Sequence, residues 1–341
     1  MIKVDNIVKY YGEHLALKGV SYTINKGEVV GFLGPNGAGK STMMRIITGY
    51  LPATSGYVYL DDYEVYDNPI EIKKRIGYMP ENVSLYTEMT VMDYLRFCAK
   101  LKGIPAKHVK TALDNTIEIT GLTKYRNRII GHLSKGYKQR TGIAQAIIHD
   151  PDVLILDEPT SGLDPNQLIE VRSLIKSLGG TRTVILSTHI LSEVEDTCER
   201  ALIIDSGELI AEDTIEGLKM AMDREILGGN IELKVAGRHE DALLCVREVN
   251  GVIQAESNSY GDIIIECERG NDSRASIVKH LVNNNFEVLE IRAKERSLEE
   301  VFIYFTDKKK NEDFDKSKYI KDDIINNKTE ATEEKNDLNN N

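Results

Sequence analysis

The sequence predicts an α/β domain with a largely parallel core sheet, followed by a small α+β domain. The first observation is that short, nearly continuous apolar runs alternate with helical patterns up to about residue 218; these runs are VVGFLG, DVLILDE, RTVILSTH and ALIIDSG. Such runs are typical of strands that helices cover on both faces. The second observation is a change of pattern after residue 230, where the order β-α-β-β-α-β indicates a split βαβ unit.

Length and composition limit the class of protein. The chain has 341 residues, a length typical of about two domains. It carries 43 Lys and Arg against 54 Asp and Glu, so its net charge is −11 at pH 7. This acidic balance argues against a protein that binds nucleic acid through the phosphate backbone. Its four cysteines are scattered without metal-ligand spacing, which is typical of a reducing compartment.

Targeting and membrane-spanning signals are absent from the pattern. The N-terminus lacks the apolar core of a signal peptide, and the longest apolar runs are far shorter than the ~20 residues that cross a bilayer. We therefore expect a cytoplasmic protein that reaches a membrane only through a partner.

The predicted domains are residues 1–218, a small accessory domain at 219–306, and a tail at 307–341. In the accessory domain, the segment SLEEVFIYFT predicts a final helix with Ser297 as N-cap and Glu300 three residues later. The tail is rich in Asn and in charge, and 18 of its 35 residues are charged. Because such a segment buries too little apolar surface to offset its ordering entropy, we expect disorder there.

A phosphate-binding loop follows the strand-like run Val29–Leu33. It fits G-x-x-x-x-G-K-[ST] and consists of Gly34, Pro35, Asn36, Gly37, Ala38, Gly39, Lys40, Ser41 and Thr42. The glycines let the backbone aim N–H groups at phosphate oxygens, and the N-terminus of the following helix adds partial positive charge. Lys40 is expected to reach the β- and γ-phosphates of ATP, and the Ser41 hydroxyl to ligate Mg²⁺.

Two adjacent carboxylates end the buried run VLILDE. Asp157 suits the coordination shell of Mg²⁺, directly or through water, and Glu158 suits activation of the attacking water as general base. Together with the phosphate loop, this pair predicts an ATPase.

The segment Leu133–Arg140, LSKGYKQR, lies between the two motifs and resembles the signature of ABC ATPases. With the motifs in the family's order, residues 1–218 resemble the nucleotide-binding subunit of an ABC transporter. The resemblance implies a P-loop NTPase fold with a helical subdomain. It also implies that Ser134 and Gly136 contact the γ-phosphate of a nucleotide held by the other subunit.

Three further site residues come from the same resemblance. Asp164, in SGLD, resembles the family's D-loop, and His189, after the strand TVILSTH, resembles its switch histidine, which holds the γ-phosphate and the attacking water. Tyr11 resembles the aromatic residue that stacks on adenine. Tyr10 is adjacent and has the same chemistry, and the alignment of the Tyr-Gly pair favours Tyr11.

The sequence departs from the family pattern at three positions. Glu81 stands where the family usually has Gln; it still offers oxygen ligands to Mg²⁺ but adds negative charge near the γ-phosphate. This Glu form resembles export-type subunits, including gliding-machinery and drug-export ATPases. Lys135 replaces a Gly and Tyr137 replaces a Gln in the signature. We expect these changes to affect rate and fine geometry, not reaction class.

The resemblance also implies partners. The chain has one phosphate loop and one signature, so two copies, or one copy and a similar ATPase chain, must sandwich two ATP molecules. Substrate would cross through a separate multi-span permease at the inner face of the cell membrane, contacted by Glu81–Lys102. Two alternatives stay open: a soluble ABC-type ATPase that acts on ribosomes or DNA, and a regulatory or scaffold protein with a vestigial ATPase.

Overall fold

The protein divides into two compact units in a computed structural model. The structure describes residues 1–225, 230–258, 261–268, 273–293 and 296–310. Among these residues, the first unit comprises Met1–Ile215 and residues 305–310, and the second comprises Glu216–Tyr304. Within the described ranges, no helix combines the length and the apolarity that crossing a bilayer demands.

Two sheets and the helices around them build the first unit. Its strands are β1 (Ile2–Tyr11), β2 (His14–Ile24), β3 (Val29–Leu33), β4 (Ser55–Leu60), β5 (Tyr63–Glu64), β6 (Ile76–Met79), β7 (Val153–Asp157), β8 (Thr183–Thr188), β9 (Arg200–Asp205) and β10 (Glu208–Thr214). Its helices are α1 (Lys40–Ile47), α2 (Pro69–Arg75), α3 (Val91–Leu101), α4 (Ala106–Ile119), α5 (Lys135–Ile147), α6 (Pro165–Leu178) and α7 (Leu191–Thr197).

The core sheet has the strand order β10-β9-β3-β8-β7-β6, and it is parallel except for β10. Every residue of β3, β7 and β8 is buried, so the prediction of a largely parallel sheet covered on both faces is confirmed. Leu33 pairs with Thr188, and Asp157 pairs with Ser187. The segments that follow these three strands therefore meet at one edge of the sheet, where ligands bind in open α/β folds.

A second, antiparallel sheet of order β2-β1-β4-β5 was not anticipated from the sequence. Its buried side chains, such as Ile2 and Val4, join those of α1, such as Met43 and Met44, and of the parallel sheet in one apolar cluster. This sheet places the turn between β1 and β2 near the start of α1.

Helices α3, α4 and α5 share a separate apolar cluster, in agreement with a helical subdomain. Thr90 is the N-cap of α3, because its Oγ1 accepts a hydrogen bond from the Asp93 N–H at 3.1 Å. Along the apolar stripe of α3, Val91 and Leu95 are fully buried, whereas Leu101 is 70% exposed. Most of this stripe is therefore core.

The core of the second unit is a four-stranded antiparallel sheet packed with two helices. Its elements are β11 (Asn230–Val235), α9 (His239–Arg247), β12 (Val252–Ser257), β13 (Ile263–Cys267), α10 (Arg274–Asn283) and β14 (Val288–Ala293). The strand order is β12-β13-β11-β14, and residues of the sheet, α9 and α10 form one buried cluster. The split βαβ prediction for this unit is therefore confirmed.

Two helices span the boundaries predicted from sequence. Helix α8 (Ile215–Glu225) contains residue 218. A further helix, α11, covers residues 298–310, four residues past the predicted end of the folded chain. Ser297 and Glu300 form a reciprocal cap at its start, since each backbone N–H donates to the other side chain at 3.2 Å. The rest of the predicted tail, 311–341, lies outside the described residues.

Candidate functional site

A cavity of about 570 Å³ opens where β3, β7 and β8 end. Ten residues predicted from sequence line it: Tyr11, Asn36, Gly37, Gly39, Lys40, Ser41, Thr42, Glu81, Glu158 and His189. Its wall also includes His14, Ala16 and Ser161, which were not among the site residues expected from the sequence. The phosphate loop, the end of β7 and the end of β8 thus surround one space.

The phosphate loop closes on its own lysine. Gly39 has φ of 105° and serves as N-cap of α1, a backbone conformation that favours glycine. Lys40 begins α1, and its ammonium donates hydrogen bonds to the carbonyls of Gly34 at 2.8 Å and Pro35 at 3.2 Å. Burial lowers the pKa of Lys40, and the neighbouring carboxylate of Glu158 opposes that shift.

The Glu158 carboxylate lies between a cation and an imidazole. Its Oε1 is 3.7 Å from the Lys40 ammonium, and its Oε2 is 2.8 Å from His189 Nδ1. The Glu158 backbone has φ of 50°, and its N–H donates to the Ser187 carbonyl at 2.8 Å. The ends of β7 and β8 therefore hold the Glu158 side chain at the cavity, with one carboxylate oxygen toward Lys40 and the other toward His189.

Asp157 is buried behind Glu158. Its Oδ1 accepts a hydrogen bond from the Ser187 hydroxyl at 2.8 Å, and its other oxygen has no hydrogen bond within the described part of the chain. Ser41 and Glu81 lie in the cavity wall. One hydroxyl and two carboxylates are a donor set that Mg²⁺ accepts when phosphates and waters complete its coordination.

Tyr11 and Tyr10 differ in placement although both are about half exposed. Tyr11 lines the cavity, with its hydroxyl 3.5 Å from Thr42 Oγ1 and the Lys9 ammonium 5.4 Å from its ring centroid. Tyr10 does not line the cavity, because successive side chains of β1 point to opposite faces.

Ser134 and Gly136 of the signature and Asp164 of the D-loop do not line the cavity. Ser134 is the N-cap of α5; it is exposed, and its side chain makes no capping hydrogen bond. The Gly136 N–H donates to Gln167 Oε1 at 3.1 Å, and Asp164 caps α6 by accepting from the Gln167 N–H at 2.9 Å. Ser134, Gly136 and Asp164 therefore form a second group on another part of the same unit. Tyr137 stacks on Tyr125 with ring centroids 3.9 Å apart.

A buried carboxyl group that was not expected from the sequence, that of Glu193, connects the segments at the ends of β7 and β8. Glu193 is fully buried, and its two carboxylate oxygens accept hydrogen bonds from the hydroxyls of Thr160 and Thr188. Burial raises the pKa of Glu193. The bridge ties the segment after Glu158 to the segment before His189. Glu193 lies four residues beyond His189 in α7, which also contains Glu195 and Asp196, so nothing in the sequence distinguishes it from the other acidic residues of that helix.

Comparison with known proteins identifies the class. Residues 17–161 match the ABC transporter family model. The bacitracin transport ATP-binding protein BcrA of Bacillus licheniformis is 35% identical over 305 residues, which cover 89% of this chain and 96% of that protein. The linearmycin resistance ATP-binding protein LnrL of Bacillus subtilis is 32% identical over 309 residues, covering 90% and 98%.

Solved structures of ATP-binding cassettes are also similar to this chain. The ATP-binding subunit of an ABC transporter has a TM-score of 0.59 and 29% identity, covering 65% of this chain and 93% of that one. A dimeric ATP-binding cassette bound to ADP and phosphate after hydrolysis has a TM-score of 0.57 and 28% identity, covering 63% and 99%. The chain belongs to the ATP-binding proteins of ABC transporters. It is an ATPase subunit, and subunits of this family dimerise and pair with membrane permease components.

Proposed function

We propose that Glu158 is the general base of ATP hydrolysis in this subunit, with Lys40 and His189 as its catalytic partners. The observation that carries this role is the position of the Glu158 carboxylate, 3.7 Å from the Lys40 ammonium and 2.8 Å from the His189 imidazole. Lys40 provides the cation for the β- and γ-phosphates. His189 fixes the carboxylate and holds the γ-phosphate and the attacking water.

Nucleotide is bound by the loop of residues 34–42 and by Tyr11, which stacks on adenine. Ser41, Asp157 and Glu81 hold Mg²⁺, which neutralises charge that develops on the phosphates. The support for Asp157 is that Ser187 occupies one of its carboxylate oxygens, while the other makes no hydrogen bond to the residues that the structure describes. Ser41 supplies a hydroxyl beside the loop lysine.

The complete site forms between two subunits, either two copies of this chain or one copy and a similar ATPase. Ser134 and Gly136 of one subunit contact the γ-phosphate of a nucleotide on the other, and Asp164 orders the D-loop at the same junction. The support is that these three residues lie outside the cavity of their own chain, and that a similar cassette is a dimer. ATP closes the dimer, and hydrolysis reopens it.

The dimer powers a separate permease at the inner face of the cell membrane. Residues Glu81–Lys102 are the proposed contact, because they begin at the cavity wall and continue through α3. We propose export as the direction, since one relative is named for resistance to linearmycin and another for bacitracin transport. Glu81, in place of the usual Gln, also resembles export-type subunits.

Replacing His189 with Ala tests the contact between the His189 imidazole and the Glu158 carboxylate. The variant should bind ATP normally while its maximal ATPase rate falls about 100-fold, because Glu158 loses the imidazole that fixes one of its oxygens. ATP binding by calorimetry and phosphate release at saturating ATP separate the two effects. His108→Ala, an exposed histidine on α4, is the matched control. Turnover that stays within about two-fold of the parent would contradict the role of His189.

The domain roles can be tested by truncation. Removing 311–341 should leave ATP binding and ATPase unchanged, because every nucleotide residue precedes residue 190 and the Lys309–Glu208 ion pair at 2.5 Å is kept. Removing 219–341 should spare ATP binding but weaken dimerisation or regulation, since we propose that the accessory domain, 219–306, supplies contacts without chemistry. Unchanged dimerisation, turnover and permease-coupled transport in the shorter chain would contradict that role.

A further inference from the structure

The first turn of the signature helix α5 is held by a side chain from α6. Gly136 is the second residue of α5, so its N–H has no acceptor within the helix. Ser134, the N-cap, makes no side-chain hydrogen bond that could replace one. The amide oxygen of Gln167 accepts from the Gly136 N–H at 3.1 Å instead. A Cβ at position 136 would lie 2.6 Å from that oxygen, so the two segments approach as closely as glycine allows.

The same glutamine is fixed from its other end. Its backbone N–H donates to Asp164 Oδ1, which caps α6. One turn further along both helices, Arg140 of α5 pairs with Glu170 of α6 at 2.5 Å. The signature and the D-loop of one chain are therefore connected by a short path from Asp164 through Gln167 to Gly136.

This contact competes with the proposed use of Gly136. An N–H has one proton to donate, and in the proposed closed dimer it points at a γ-phosphate on the opposite subunit. Gln167 Oε1 occupies that donor in the free subunit. Closure must exchange a neutral amide acceptor for an anionic one, which forms the stronger hydrogen bond.

We infer that Gln167 is a positioning residue that occupies the Gly136 N–H until ATP-driven closure displaces it, and that it thereby sets the ATP concentration needed for closure. The inference rests on the proposed dimer mechanism. The exchange also couples closure to the D-loop. The backbone N–H of Gln167 donates to Asp164, so displacement of the Gln167 side chain acts on a residue that Asp164 contacts.

Two substitutions at one position separate this role from a purely structural one. Gln167→Leu removes the acceptor at similar size, leaves the N–H unpaired in the free subunit, and should lower the ATP concentration at half-maximal dimerisation about five-fold. Gln167→Glu keeps an acceptor, strengthens the bond and adds negative charge near the incoming phosphate. It should raise that concentration at least about five-fold.

The measurement uses the full chain carrying Glu158→Gln, with ATP titrated against dimer formation by light scattering. Glu170→Gln weakens the neighbouring ion pair of the same helix contact and should shift the midpoint less than about two-fold. Opposite shifts for the two Gln167 variants support the inference. Shifts in the same direction, or none, overturn it, because loosening the contact between α5 and α6 would move both variants alike.

Amide hydrogen exchange without nucleotide gives a second test that does not depend on dimerisation. The Gly136 amide should exchange faster in Gln167→Leu than in the parent, and no faster in Gln167→Glu. Equal exchange in the parent and Gln167→Leu overturns the inference even if the dimer forms normally. If the parent forms no ATP-dependent dimer while its Gly136 amide is protected from exchange, the proposed closure mechanism is wrong, and the Gln167 contact then has only a structural role.

Discussion

Replacing Glu158 with Gln is expected to reduce ATP hydrolysis at least ~100-fold while ATP binding is retained. The amide keeps the size of the carboxylate and its acceptor toward His189 Nδ1, so the cavity keeps its shape. The amide cannot accept a proton from water, and it removes one negative charge beside Lys40 and the phosphates. ATP should therefore bind at least as well as in the parent, and closed dimers should accumulate because hydrolysis no longer reopens them.

Phosphate release and size-exclusion chromatography with ATP measure both outcomes. Glu118→Gln, which makes the same exchange at an exposed position of α4, should behave like the parent. A Glu158→Gln protein with near-normal turnover would remove Glu158 from the role of general base. Loss of ATP binding instead would indicate that the carboxylate mainly organises Lys40.

Mixing two inactive variants is expected to restore part of the ATPase. Ser134→Arg places a bulky cation where the other subunit's γ-phosphate is proposed to lie, and Lys40→Ala removes the cation of the phosphate loop. Each variant alone has two damaged sites per dimer. In a mixed dimer, one site carries both lesions and the other carries neither, so the intact site can turn over.

A mixture that stays inactive would favour hydrolysis within one chain, unless both sites of a dimer must be intact for either one to hydrolyse ATP. Measuring whether the two variants bind each other distinguishes these two explanations. Labelled Ser134→Arg subunits should bind Lys40→Ala subunits in the presence of ATP, and neither variant should associate with itself to the same extent. Absence of ATP-dependent mixed dimers would contradict the composite site directly.

The parts of the site that the sequence predicted are those whose chemistry is local. The phosphate loop occupies consecutive positions after β3, and Asp157 and Glu158 end one strand, so pattern and strand order were sufficient. A reciprocal cap spans only three residues, and the predicted cap between Ser297 and Glu300 forms as expected.

The parts that the sequence did not predict depend on pairing between distant segments. His14 and Ala16 reach the cavity because β2 turns back along β1, where Tyr11 pairs with His14. The strands β1 and β2 have irregular patterns of buried and exposed residues, whereas β3, β7 and β8 are buried throughout. The sequence signal for β1 and β2 is therefore weaker. Gly136 and Gln167 lie on different helices and are 31 positions apart in the chain, and no local pattern encodes their contact.

The left-handed backbone at Glu158 has a consequence for how this protein can change. A non-glycine residue at φ of 50° costs on the order of 1 kcal/mol, and the fold sustains it by pairing the Glu158 N–H with Ser187. Glycine or asparagine would relieve this backbone strain, but either would remove the carboxylate that lies 3.7 Å from the buried Lys40 ammonium and that we propose as the general base. The fold therefore sustains a strained backbone at the position where the proposed chemistry needs a carboxylate.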